Sequence, residues 1–166
     1  MTIENYRWLA GLIAAHEGRR VVGRTRLQKT VKLLQRRGFP TSYRYTIFFY
    51  GPYSEDLNAG LRLLESFGLV NEQEHLAKDG TTYYTITASA DAELAEIEEY
   101  RPLIDRLAQT DPVVLELTAT YDAFRELGCD HDEALRRLRR KKGAKCDEGR
   151  DEQALRLVAE LGLSAS

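Results

Sequence analysis

Between Tyr45 and Thr87 the chain sets an apolar run, a Gly-Pro stop, a leucine-spaced segment, a glycine and two alternating segments around Asp-Gly, in that order. This order constrains the fold more than any other feature. Tyr45 to Tyr50 (YTIFFY) is a continuous β-branched and aromatic run, which predicts a covered strand that Gly51 and Pro52 stop abruptly. Leu57, Leu61 and Leu64 recur at i, i+4, i+7, predicting a helix over 53–66 with Gly68 just past its end. Its exposed side includes Tyr53, Glu55, Asn58, Arg62 and Glu65. Residues 69–87 read as a hairpin around Lys78-Asp79-Gly80, because Asp-Gly favours the positive φ angles of a type I′ turn.

Two helices precede this unit. Residues 3–16 carry a broad apolar face with Tyr6, Leu9 and Ile13 in helical register. The second helix spans about 25–37, with Thr25 and Gln28 in capping-box spacing and Gly38 followed by Pro40 at its end. On it Leu27, Val31 and Leu34 form one stripe, and Lys29, Lys32 and Arg36 form another. After Ala88 strand signals vanish, and helices are predicted near 90–108, 112–127, 131–142 and 150–162. A strand, a helix and a charged hairpin in succession form the back half of a winged-helix arrangement. The expected class is therefore α+β: a winged-helix-like unit over 1–88 (helices, short strand, helix, hairpin wing) and an all-helical extension over 89–166, with dimerisation a candidate role for the extension. Leu103, Leu107, Leu115 and Leu117 motivate a symmetric homodimer through it.

The formal net charge of −2 hides a strong segregation. Arg19, Arg20, Arg24, Arg26, Lys29, Lys32, Arg36, Arg37 and Arg44 occur with no acid among them, whereas residues 88–133 hold thirteen acids against three arginines. Residues 136–150 are again basic. Two readings follow. In one, the block from Arg19 to Arg44, with Lys78 at the wing tip, tracks the phosphates of double-stranded DNA without reading sequence. In the other, the basic face pairs with the acidic segment 91–99 of the same chain or a second copy. A helix over 53–66 laid in a major groove would also bring Glu55, Asp56 and Glu65 against phosphate.

The stretches Thr25-Arg26-Leu27-Gln28-Lys29, Phe49-Tyr50-Gly51-Pro52-Tyr53-Ser54 and Leu63-Leu64-Glu65-Ser66-Phe67-Gly68-Leu69-Val70 resemble the YwgA-like family of small bacterial and archaeal proteins. The same spacing is more distantly similar to the Panacea domain of antitoxins. The resemblance covers about residues 5–90 and implies a winged-helix-like fold. From the Panacea side it implies inhibition of a toxin by direct contact. Neither family supplies catalytic residues.

No G-x-S-x-G, P-loop, H-E-x-x-H or G-x-G-x-x-G is present, and Cys129, His131 and Cys146 match no common zinc spacing. The expectation is a non-catalytic protein without metal or cofactor. Two cysteines, no membrane-spanning run and no leader-like N-terminus suit a cytoplasmic setting. The favoured expectation is a DNA-binding transcriptional regulator or an accessory of a defence or toxin-antitoxin system. The alternative is a protein-binding antitoxin or adaptor, with Tyr53, Asn58 and Arg62 meeting an acidic partner or toxin.

Overall fold

A computed structural model describes residues 2–163. The first helix, α1 (Ile3–Ala14), places Leu9, Leu12 and Ile13 fully inside and is capped by the Thr2 hydroxyl. A short strand, β1 (Arg20–Val22), leads into α2 (Arg24–Arg36). Next come a small hairpin, β2 (Thr46–Phe48) and β3 (Gly51–Tyr53), the helix α3 (Glu55–Ser66), and the long hairpin of β4 (Val70–Leu76) and β5 (Thr82–Ala88). The antiparallel sheet has the order β1-β5-β4, with Val21 opposite Ile86 and Glu72 opposite Ile86 on its other side. The order helix, strand, two helices, hairpin, with the first strand against the last, is that of a winged-helix-like α+β fold. The β2-β3 hairpin is an insertion between its second and third helices.

Four helices complete the chain: α4 (Arg101–Ala108), α5 (Pro112–Glu126), α6 (His131–Lys142) and α7 (Arg150–Glu160). Of these α5 is central. All eleven residues from Val114 to Phe124 are buried, against α2, β3, α6 and α7. Asp111 caps it, accepting from the amides of Val113 and Val114 at 2.8 and 3.2 Å. A triad of edge-to-face rings, Trp8 with Phe39, Trp8 with Tyr100 and Phe39 with Tyr100 at 5.4, 5.8 and 5.1 Å, joins α1, the loop after α2 and the start of the extension.

Several expectations change. Residues 91–99 are not a regular helix but lie on two short 3₁₀ segments, so they offer no long acidic face. The run Tyr45–Tyr50 is not one covered strand: it turns at Phe49-Tyr50, and Gly51-Pro52-Tyr53 pairs back on it. The wing does form around Lys78-Asp79-Gly80, but only Gly80 has positive φ, at 85°. Its amide donates to the Ala77 carbonyl at 3.0 Å, giving a three-residue loop with a left-handed glycine in place of the type I′ turn. Leu107, Leu115 and Leu117 are fully buried inside one copy, which removes the apolar stripe that motivated a dimer. No helix among the described residues is long and apolar enough to cross a membrane.

Candidate interaction site at the aromatic hairpin

Two glutamines seven residues apart on α2 fasten the chain that leads to the hairpin. Gln35 donates to the Tyr43 carbonyl at 3.0 Å and accepts from its amide at 2.9 Å. Gln28 does the same to Ser54, at 2.9 Å in each direction. The expected capping box is therefore absent. Gly23 precedes α2 without a side-chain cap, and the Gln28 amide is spent on β3's exit. Ser54, held in this way, caps α3 by accepting from the Leu57 amide at 3.2 Å.

The lysines of α2 point inward too. Lys29 is 2% exposed and donates to the Pro52 carbonyl at 2.6 Å. From the other side Lys142 of α6, also buried, donates to the Phe49 carbonyl at 3.2 Å and lies 3.4 Å from the buried Glu116 carboxylate of α5. Lys145 pairs with the same carboxylate at 2.8 Å and sits over the Tyr50 ring. Burial pushes the Lys29 ammonium down to about 8, and burial lowers Lys142 as well. Between the lysines lies Gly51 at φ 89°, where a Cβ would stand 2.4 Å from the Thr120 hydroxyl oxygen. Only glycine fits there, for both conformational and steric reasons. A two-stranded hairpin of three-residue strands is marginal alone. Here its main chain is pinned by buried side chains from two helices, Gln28 and Lys29 of α2 and Lys142 of α6.

What this scaffold presents is aromatic. Phe48, Phe49 and Tyr50 are 47%, 88% and 66% exposed. Behind them a groove of about 700 Å³ runs between β2 and the C-terminal ends of α2 and α5, with Tyr45, Ile47 and Leu127 on its sides. Its polar wall is Lys32, Arg36 and Glu126, which belong to an ion-pair network centred on Asp122. Asp122, fully buried, accepts from Lys32 at 3.1 Å and Arg36 at 3.0 Å, and Glu126 completes the network with a close contact to Lys32.

The expected phosphate-tracking stripe is thus not a surface. Lys29 and Lys32 are inside, Lys29 against the Pro52 carbonyl of β3 and Lys32 against the Asp122 and Glu126 carboxylates of α5. Arg36, though exposed, is engaged by Asp122. Arg26 donates to the Leu107 and Thr110 carbonyls at 3.1 and 2.8 Å, satisfying the end of α4. Arg24 forms a bidentate pair with Glu72 and stacks on Tyr84 at 3.7 Å. Arg19 pairs with Glu93, and Arg44 with Asp56. Arg20, Arg37 and Lys78 are exposed without an ion pair among the described residues. Tyr53 and Asn58 are partly buried beside the hairpin, and Arg62 is exposed on α3. Cys129 and Cys146 are buried and free, while His131 Nδ1 is 2.7 Å from the Tyr121 hydroxyl. Sequence reasoning missed Glu116, Thr120, Asp122, Lys142 and Lys145. The available signal was two acids, Glu116 and Asp122, set in the largely apolar 113–124 segment.

The fold and its inserted hairpin define a winged-helix-like protein whose extension is built into the same core. No protein-family profile matches the chain. Among curated proteins it is similar to "Uncharacterized protein YwgA" of Bacillus subtilis (strain 168), 31% identical over 110 residues. The match takes in 63% of this chain and 66% of that relative, just under two thirds of its length. This similarity supports a YwgA-like family for the chain.

Proposed function

We propose that this protein is a non-catalytic binding module that docks an acidic protein partner onto its β2-β3 hairpin. The observation that carries the reading is the exposure of Phe48, Phe49 and Tyr50 on a hairpin fixed by the buried donors Lys29 and Lys142. Rigid aromatic anchors lose little entropy on binding, and aromatic and arginine side chains dominate interface energetics. An exposed contiguous apolar patch of this kind marks an interaction surface more often than a solvated one. Charge gives the partner its sign. Lys145 lies 5.2 Å from the Tyr50 ring centroid, and Arg140 and Lys141 are exposed at the same end of α6. The groove behind β2 offers room for a partner side chain. An antitoxin or adaptor in a defence setting fits this chemistry, and the sequence resemblance to Panacea domains points the same way.

Double-stranded DNA is the second reading, favoured by the winged-helix topology and by exposed Arg62 and Lys78 on α3 and the wing. Against it, α3 exposes Glu55 and Glu65 and the wing exposes Glu74, each repelling phosphate. A photo-crosslinking residue placed at Phe49 or at Lys78 in the native host separates the two. The proposal expects a discrete protein adduct from position 49 and none from 78. Adducts to DNA from position 78, with position 49 silent, overturn it.

A further inference from the structure

A cavity of about 350 Å³ lies between the first turns of α2 and α3 and the hairpin. Its lining contains two bases, Arg24 and Lys29, and no acid. Lys29 stands apart from the other buried bases. Lys32 has Asp122 and Lys142 has Glu116 within ion-pair distance, but the Lys29 ammonium has a backbone carbonyl as its hydrogen-bond partner. The acid whose field reaches Lys29 is Glu116, which Lys142 and Lys145 already share, leaving three ammonium groups around one carboxylate. A buried cation without a paired anion is costly, and the usual remedies are loss of its proton or a bound counter-charge.

The remaining walls suit an organic anion. Arg24 uses Nε and Nη2 on Glu72, which leaves Nη1 free to donate. Thr25, with its hydroxyl, Asn58, with its side-chain amide, and the aromatic residues Tyr50 and Tyr53 also line it. The volume falls at the small end of the range for small-molecule sites, about 300 to 1,000 Å³. We propose that this cavity binds a small phosphate monoester of mononucleotide size, its phosphate facing Lys29, Arg24 and Thr25 and its ring against the tyrosines. The cavity shares Phe48 and Tyr50 with the docking surface proposed above, but its ligand is tested without any protein partner, so the two readings fail separately.

Titration calorimetry on the full chain at pH 7 and low salt, with AMP, inorganic phosphate and adenosine as probes, tests the assignment. AMP and inorganic phosphate are expected to bind and to compete, with adenosine at least about tenfold weaker than AMP. Lys29→Gln is expected to lower AMP affinity by about tenfold or more. Because Lys29 also holds the hairpin, Thr25→Glu serves as a second variant: position 25 is exposed, so the melting temperature should hold while the added carboxylate abolishes AMP binding. Three results overturn the proposal: no binding of AMP or phosphate up to about 10 mM, adenosine binding as tightly as AMP, or wild-type AMP affinity in Thr25→Glu.

Discussion

Removing the Asp122 carboxylate tests whether the bases of α2 hold the fold or face a ligand. Asp122 is fully buried, and the Lys32 side chain it accepts from is 7% exposed. Deleting one partner of a buried ion pair leaves the other charge uncompensated and costs about 3 to 5 kcal/mol. Two features place Asp122→Ala near the lower end. Glu126 still touches Lys32 but is 41% exposed, and Arg36, 36% exposed, can turn into water at a cost of about 0 to 1 kcal/mol. The expected loss is thus about 3 kcal/mol. Replacing both charges, Lys32→Met with Asp122→Leu, removes the desolvation penalty along with the pair and is expected within about 1 kcal/mol of wild type or above it. Urea unfolding at pH 7 gives the free energies, with an unchanged m-value showing that the denatured state is the same. Losses below about 1 kcal/mol for Asp122→Ala that add simply with Lys32→Met refute the reasoning, because Lys32 would then be solvated.

Gly51→Ala is expected to destabilise by at least about 1 to 3 kcal/mol, the usual cost of such backbone strain, and Thr120→Ala in the same chain should recover the steric part in a thermal melt. Lys29 titrates near 8 in the folded protein against 10.5 when solvated, so over that window the unfolded chain binds the extra proton. Stability should therefore rise with pH from about 8 to 10.5, and Lys29→Met should flatten the rise in urea midpoints. A chain ending at Ala88 loses Glu116, Asp122 and Glu126 and uncovers the buried face of α2; calorimetry is expected to show no cooperative transition.

Helices α1, α2 and α3 were legible because each buries a stripe at the helical period, with Gly38 and Gly68 just past the ends of α2 and α3, and the wing was legible because Asp79-Gly80 marks its turn. β1 escaped because three residues carry no period; it is defined by its partner β5, more than sixty positions on. The hairpin at 46–53 was hidden in an unbroken apolar run, since the turn at Phe49-Tyr50 has no turn residues and depends on distant donors. The same distance concealed the fate of the basic stripe. Lys32 and Asp122 are 90 residues apart, and an amphipathic helix whose second face is basic looks alike whether that face meets water or a buried carboxylate. Gln28 fits a capping box in spacing, yet its partner Ser54 lies 26 residues away.

The most direct test of hairpin docking is the affinity of the protein cross-linked at position 49 for two surface variants with unchanged melting temperature. Phe49→Ser with Tyr50→Ser removes the aromatic tip and is expected to weaken binding by about a hundredfold or more, since each such anchor contributes about 2 kcal/mol or more. Arg62→Glu with Lys78→Glu reverses the wing-side charges and is expected to bind like wild type. Full affinity in the hairpin variant, with the loss appearing in the wing variant, contradicts the account.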